Sequence, residues 1–105
     1  MEKLDKNKVA KKSDSNEEVP VLDITHWTKE LFSFSLCRPK SFRFSAGEFV
    51  MLGLTTDEGQ QILRAYSIAS PTWSDALMFY SINIVNGPLT SRLSKIRPSD
   101  GVILG

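Results

Sequence analysis

The clearest pattern in the sequence is Leu31-Phe32-Ser33-Phe34-Ser35-Leu36, in which large apolar side chains alternate with serine. Alternate residues of a strand point to opposite faces, so this period of two predicts a strand with one buried face. Short apolar and β-branched runs separated by turn signals predict further strands of the same kind. These runs are Val21–Thr25, Glu48–Leu54, Ile62–Ala69, Leu77–Val85 and Val102–Leu104.

One helix is predicted, from Pro88 to Ile96, directly after the chain-breaking pair Asn86-Gly87. The strands are not interleaved with helices, as they would be in a parallel sheet with helical crossovers. The pattern therefore predicts an all-β fold, a small antiparallel barrel with a helix near the end of the chain.

The composition is that of an ordinary globular domain of 105 residues with a formal net charge of +1. Such a balance creates no field that would gather nucleic acid or an anionic membrane. No apolar run approaches the roughly 20 residues that span a bilayer, and the charged start of the chain lacks the apolar segment of a secretory signal. The single cysteine, Cys37, cannot form an internal disulfide. We therefore expect a cytoplasmic protein with no membrane span and no nucleic-acid partner.

The first 18 residues are dominated by charged and small polar side chains. A segment with so little apolar surface to bury does not fold by itself, so residues 1–18 are predicted to be a disordered or loosely ordered extension. The ordered domain is predicted to span residues 19–105, beginning at Val19-Pro20-Val21.

A guanidinium, a phenol and a hydroxyl lie within four consecutive positions of one predicted strand, Arg64-Ala65-Tyr66-Ser67. In an extended chain Arg64 and Tyr66 point to the same face, about 7 Å apart. A planar aromatic ligand could stack on Tyr66 while Arg64, whose planar fork donates two parallel hydrogen bonds, reaches a phosphate. Ser67 offers a donor and an acceptor to a ring nitrogen. An edge strand with a surface arginine and a half-buried tyrosine explains the same residues equally well.

The second candidate segment is Gly87-Pro88-Leu89-Thr90-Ser91, at the start of the predicted helix. With Gly87 as the N-cap, the amides of residues 89–91 would face outward from the positive end of the helix dipole, where phosphate binds. The hydroxyls of Thr90 and Ser91 would add donors. A hydrated helix start is the commoner arrangement, but the two segments together suit a dinucleotide that carries a flat heteroaromatic ring.

From about Phe44 to Gly105 the sequence resembles the bacterial ferredoxin or flavodoxin–NADP reductases. Three motifs carry the resemblance: Gly47-Glu48-Phe49-Val50-Met51-Leu52-Gly53-Leu54, Leu63-Arg64-Ala65-Tyr66-Ser67-Ile68-Ala69-Ser70-Pro71 and Gly87-Pro88-Leu89-Thr90-Ser91-Arg92-Leu93. The resemblance implies a six-stranded antiparallel Greek-key barrel with one capping helix that binds FAD. It also implies hydride transfer between NADPH and FAD, and exchange of single electrons with a ferredoxin or flavodoxin.

The same resemblance implies roles for individual residues. Arg64 would grip the pyrophosphate, Tyr66 would stack against the isoalloxazine, and Ser67 would lie near the flavin nitrogen that takes the hydride, which makes Tyr66 and Ser67 the candidate catalytic residues. No metal ligand is expected. The implied cofactor-binding residues are Arg64, Ala65, Tyr66, Ser67, Ile82, Asn83, Ile84, Pro88, Leu89, Thr90 and Ser91.

The sequence departs from the family pattern in two ways. Asn83 stands where family members commonly carry lysine, and no Gly-rich nucleotide turn is present before the chain ends at Gly105. We therefore expect a last strand that is cut short, no NADP-binding domain, and a fragment that is inactive without that domain. Two alternatives stay open: the flavin-binding module of another flavin reductase, and an inactive fragment.

Overall fold

The computed structural model describes residues 17–84 and 86–105, which form six strands and one short helix. In chain order these elements are β1 Glu17–His26, β2 Leu31–Cys37, β3 Phe49–Thr55, β4 Gln61–Ser67, β5 Ala76–Ile82, α1 Thr90–Leu93 and β6 Gly101–Leu104. Each strand predicted from the sequence is present. The predicted end of β5, Val85, lies outside the described residues.

The strands form one antiparallel sheet in the order β4-β3-β6-β1-β2-β5, so β4 and β5 are its two edges. Six antiparallel strands with a single short helix are thereby confirmed, but the sheet is not closed into the predicted barrel. The two edges meet at one end, where the amide of Ala69 donates to the carbonyl oxygen of Met78 at 2.8 Å. Further along, a cleft separates β4 from β5 and interrupts the ladder that closure requires.

The inward-facing residues of the curved sheet form the core. Phe34 of β2 and Phe79 of β5 stack with ring centroids 5.6 Å apart, and both are fully buried. Leu52 of β3 belongs to the same cluster, and Leu89 and Leu93 cover it from the segment around α1. Burying one such side chain contributes about 1.5–3 kcal/mol. The alternation in β2 therefore turns the face that carries its large apolar side chains toward the core.

A tight hairpin places β4 beside β3. The loop turns at Gly59, whose φ of +86° is a conformation that residues with a Cβ rarely adopt. The amide of Gly59 donates to the carbonyl oxygen of Thr56 at 2.8 Å. The hairpin loop that the sequence predicts at Glu58-Gly59 is therefore confirmed.

The first strand reaches into the segment that the sequence predicts to be an extension. β1 begins at Glu17, which pairs with Leu104 of β6, and Glu18 pairs with Ile103. Residues 17 and 18 are thus part of the sheet, while residues 1–16 of the predicted extension lie outside the described residues.

The helix is shorter than the predicted span of Pro88 to Ile96. α1 covers only Thr90–Leu93, and its N-cap is Leu89 rather than Gly87. The amides of residues 95 and 96 then donate to carbonyl oxygens three residues back, which is the tighter 3₁₀ pattern. Nowhere in residues 17–84 and 86–105 is there a helix of the length and apolarity needed to cross a bilayer.

Candidate functional site

The two edge strands direct peptide groups into the cleft between them. The amide of Ile68 donates toward β3, to the carbonyl oxygen of Glu48, whereas that of Ala69 donates toward β5. Because successive peptide groups of an extended chain point in opposite directions, those of Ala65 and Ser67 also face β5. Polar main-chain groups at a sheet edge need partners, so this side of the cleft can bind a ligand with donors and acceptors on its rim.

The same alternation applies on the opposite side. The amide of Met78 donates to the Oγ of Ser70 at 3.0 Å and its carbonyl oxygen accepts from Ala69, so Met78 faces β4. The amide of Asn83 donates the other way, to the carbonyl oxygen of Glu30 at 2.7 Å. The peptide groups of Tyr80 and Ile82 therefore face the cleft, opposite those of β4.

Two adjoining cavities occupy the cleft. The larger has a volume of about 570 Å³ and the smaller about 280 Å³, and Ala65, Tyr66, Ile84 and Thr90 line both. The larger cavity is in the size range of small-molecule sites. Its other lining residues are Leu31, Ser67, Ala69, Tyr80, Ser81 and Ile82. Those of the smaller are Arg64, Gly87, Pro88 and Leu89.

The smaller cavity is lined by Arg64 of β4 and by residues of the segment after β5, the two parts of the chain that carry the predicted phosphate contacts. Arg64 lies opposite Leu52 in the β3–β4 register, on the same side of β4 as Tyr66. Its side chain is exposed, and Nη1 donates to the carbonyl oxygen of Leu63 at 2.7 Å. Among the described residues that line this cavity there is one cation and no carboxylate. An anionic group can therefore enter without meeting a like charge.

Tyr66 lines both cavities, and its side chain contacts residues of β2 and β5. Its ring meets Phe34 and Phe79 edge to face, with centroids 6.3 and 6.4 Å away and interplanar angles of 71° and 85°. Its hydroxyl is 2.8 Å from the Oγ of Ser81 on β5. The half-buried ring thus has two aromatic neighbours and a hydrogen-bonded hydroxyl, and it lines both cavities, where a planar ligand could stack on it.

The segment around α1 differs from the predicted phosphate site at two residues. The Oγ1 of Thr90 accepts from the amide of Ile84 at 3.0 Å, and the hydroxyl of Ser91 donates to the carbonyl oxygen of Gly87 at 2.7 Å. The amide of Ser91 also donates to Gly87, at 3.2 Å. The expectation of a free, outward amide at Ser91 is therefore wrong, because both the amide and the hydroxyl of Ser91 are bonded within the turn that leads into α1.

The structure brings nine of the eleven predicted cofactor residues to the walls of the two cavities. The exceptions are Asn83, whose amide is bonded to Glu30, and Ser91. Five other lining residues are not among the predicted cofactor-binding residues, although one of them, Gly87, lies in the second candidate segment. The peptide group of Tyr80 and the side chain of Ser81 reach the cleft because β5 is an edge strand, which the sequence does not show. The five residues are Leu31, Ala69, Tyr80, Ser81 and Gly87.

Comparison with known proteins identifies relatives of part of the chain. No protein-family model matches it. The chain is 55% identical over 84 residues to a flavodoxin/ferredoxin–NADP reductase of Rhodobacter capsulatus, a match that covers 80% of this chain and 31% of that protein. It is 49% identical over 84 residues to a ferredoxin–NADP reductase of Azotobacter vinelandii, covering 80% and 32%. The chain thus spans about a third of the length of the curated relatives that it matches.

Solved structures show the same fold. A ferredoxin NADP+ reductase from Neisseria gonorrhoeae, crystallised with bound FAD and NADP, superposes with a TM-score of 0.82 at 34% identity, over 88% of this chain and 37% of that one. A siderophore utilization protein from T. fusca superposes with a TM-score of 0.72 at 16% identity, over 86% of this chain and 44% of that one. The second similarity concerns the fold alone.

Proposed function

We propose that this chain, which corresponds to the N-terminal portion of the ferredoxin/flavodoxin–NADP reductases, holds FAD in the cleft between β4 and β5. The observation that carries the proposal is the pair of adjoining cavities: Tyr66 lines both of them, and Arg64 lines the smaller. The relative from Neisseria gonorrhoeae has bound FAD, and its fold superposes on this one.

The larger cavity suits the flavin ring system. Leu31, Ile82 and Ile84 supply apolar walls, and Tyr66 supplies an aromatic face. The peptide groups of β4 and β5 that face the cleft provide donors and acceptors for the polar rim of the ring. Ser67, at the end of β4, lies on the same wall, where its hydroxyl can donate to or accept from a ring nitrogen.

The smaller cavity suits the pyrophosphate. Arg64 reaches it from β4, and the turn of Pro88 and Leu89 forms the opposite wall. The Oγ1 of Thr90 accepts from the amide of Ile84 and its hydroxyl donates to the carbonyl oxygen of Ile84 at 3.4 Å, so Thr90 also supports the turn. In this arrangement Arg64 is the principal ligand of the phosphates, because a guanidinium binds two phosphate oxygens at once.

Bound FAD supplies the hydride and single-electron chemistry, and the protein binds and orients it. We propose that Tyr66 and Ser67 are the residues in contact with the reacting ring. In the whole reductase the reaction would pass electrons between NADP(H) and a ferredoxin or flavodoxin, in keeping with the names of the relatives. NADP(H) would be bound by the part of those proteins that this chain does not span.

Purification tests the binding function directly. The chain, refolded or expressed with FAD in excess and then desalted, should remain yellow and show flavin absorbance in equimolar amount. A colourless but folded protein that does not bind added FAD in a titration would rule out the proposal.

Arg64→Ala is expected to lower the affinity for FAD about tenfold. Charge-assisted hydrogen bonds contribute about 1.5–3 kcal/mol, and the loss should lie at the low end of this range because the site is open to solvent. FMN has no pyrophosphate, so its affinity should fall less. Flavin titrations monitored by absorbance give both dissociation constants. The control is Arg97→Ala, which removes the same charge from an exposed residue that lines neither cavity. Equal losses of FAD and FMN affinity would contradict the assignment of Arg64 to the pyrophosphate.

Tyr66→Ala is expected to weaken the binding of both FAD and FMN by about 1–3 kcal/mol, the range measured for stacking of a base on an aromatic side chain. The loss should be similar for FAD and FMN because the two share the ring system. The same titrations measure it, and circular dichroism checks that the variant is folded. An unchanged affinity for either flavin would place the ring elsewhere.

A further inference from the structure

Ser81 is a buried polar residue at the cleft. Its side chain lies on the inward face of β5 and is 6% exposed. One other polar residue, Ser33, is buried in residues 17–84 and 86–105. A buried hydroxyl without a hydrogen bond costs about 1–3 kcal/mol, so its partner matters. The partner of Ser81 is the hydroxyl of Tyr66, 2.8 Å away.

The bond joins two strands that are not otherwise paired at this point. The last main-chain bond between the edges runs from Ala69 to Met78. Tyr66 lies three residues before Ala69, and Ser81 lies three residues after Met78. The Tyr66–Ser81 bond therefore crosses the cleft between β4 and β5, where no main-chain bond between described residues joins the two strands, and both residues line the larger cavity.

The bond also completes the restraint on the Tyr66 ring. Phe34 and Phe79 contact the ring edge to face but form no hydrogen bond that would hold its far end. The hydroxyl lies at that far end, so its bond to Ser81 limits movement of the ring. With the hydroxyl bonded, the aromatic ring is the part of the side chain that is left for a ligand in the cavity.

We propose that Ser81 is a positioning residue for the flavin: it holds the phenol of Tyr66 across the open edge of the sheet and thereby sets the ring against which the flavin stacks. The inference rests on the proposed function. It assigns the hydroxyl of Tyr66 to an anchoring role, and it assigns the contact with the flavin to the aromatic face.

A double-mutant cycle of Ser81→Ala and Tyr66→Phe tests the coupling through FAD affinity. Each single variant should bind FAD about threefold to tenfold more weakly, the equivalent of one neutral hydrogen bond. Because both variants break the same bond, the double variant should be no weaker than the weaker single variant. Losses that multiply in the double variant, or an unchanged affinity in either single variant, would overturn the proposal.

Flavin fluorescence distinguishes positioning from general stabilisation. An aromatic ring stacked on the flavin quenches its emission, so Ser81→Ala, which retains Tyr66 but frees it, should raise the fluorescence of fully bound FAD. Ser81→Thr keeps the hydroxyl, and the cavity that Ser81 lines can accommodate the added methyl group, so this variant should quench as strongly as the wild type. Bound FAD that is quenched as strongly in Ser81→Ala as in the wild type would overturn the proposal.

Ser33→Ala is the matched control. Ser33 is also buried and accepts a hydrogen bond from an aromatic side chain, from Nε1 of Trp27 at 2.9 Å, but it lines neither cavity. It should lower stability and leave FAD affinity and fluorescence unchanged. A fluorescence rise in Ser33→Ala equal to that in Ser81→Ala would overturn the proposal.

The wild-type titration separates the two levels of inference. A wild-type chain that binds no FAD refutes the proposed function and this inference together. A wild-type chain that binds FAD, with a Ser81→Ala variant that behaves identically, refutes this inference alone. If Ser81→Ala does not fold, FAD affinity of Tyr66→Phe decides, because that variant removes the bond from the other side.

Discussion

Replacement of Arg38 by alanine is expected to lower the free energy of unfolding by about 3–5 kcal/mol. The half-buried guanidinium donates to three main-chain carbonyl oxygens: those of Phe42, through Nε and Nη2 at 3.0 and 2.8 Å, and of Thr72 and Ser74. It also lies over the ring of Phe44, 4.8 Å from the centroid. Alanine would leave all three carbonyl groups without this partner.

Urea denaturation of Arg38→Ala and Arg38→Lys gives the measurement. Lysine should recover less than half of the loss, because an ammonium group cannot reproduce the planar fork that reaches carbonyl groups in two loops. Arg43→Ala is the control: it removes the same charge from an exposed position in the same connection between β2 and β3 and should change stability by about 0.5 kcal/mol or less. A fully stable lysine variant would show that charge, and not hydrogen-bond geometry, is what the fold requires.

The second large effect is expected at Gly53, where alanine should cost about 3 kcal/mol or more of stability. Gly53 lies in β3 and pairs with Leu63 of β4 and Ile103 of β6. A Cβ at this position would overlap the main-chain carbonyl oxygen of Ile62 and Cδ2 of Leu63. The carbonyl cannot move unless β4 moves, so close packing makes the added methyl group expensive.

Thermal and urea unfolding of Gly53→Ala should show the loss, with Gly101→Ala as the matched control. Gly101 is also a strand glycine, but the three atoms nearest to a Cβ there all belong to the side chain of Glu18, the carboxyl carbon being 2.6 Å away. That flexible side chain can turn aside, so Gly101→Ala should cost about 1 kcal/mol or less. If the two variants lose equal stability, close approach of β3 and β4 is not the reason for glycine at position 53.

Both residues also bear on the cleft. Gly53 allows β4 to lie close against β3, and in that register Arg64 is opposite Leu52 and Tyr66 is opposite Val50. Arg38 holds Thr72 and Ser74, which belong to the connection between β4 and β5. We therefore expect the folded population of either variant to bind FAD less tightly than the wild type, because β4 would be displaced.

The expectations at the site that did not hold have a common physical origin. The predicted helix start used local rules for caps and dipoles, but the turn before α1 satisfies its own polar groups, through Ser91 to Gly87 and Thr90 to Ile84. Small polar side chains compete with the main chain for such bonds. Which partner these side chains bond depends on how the turn packs against β5, and the local sequence does not determine that packing.

Local patterns in the chain were sufficient to predict the strands, the hairpin at Gly59 and the shared orientation of Arg64 and Tyr66. Each of these depends on steric alternation within a few residues, so tertiary context has little effect on it. Whether the sheet closed, which strands became its edges, and that Ser81 would meet Tyr66 were decided by contacts between segments far apart in the chain. Those contacts depend on how the twisted sheet curves around its core, and the free energy of that packing belongs to the whole fold.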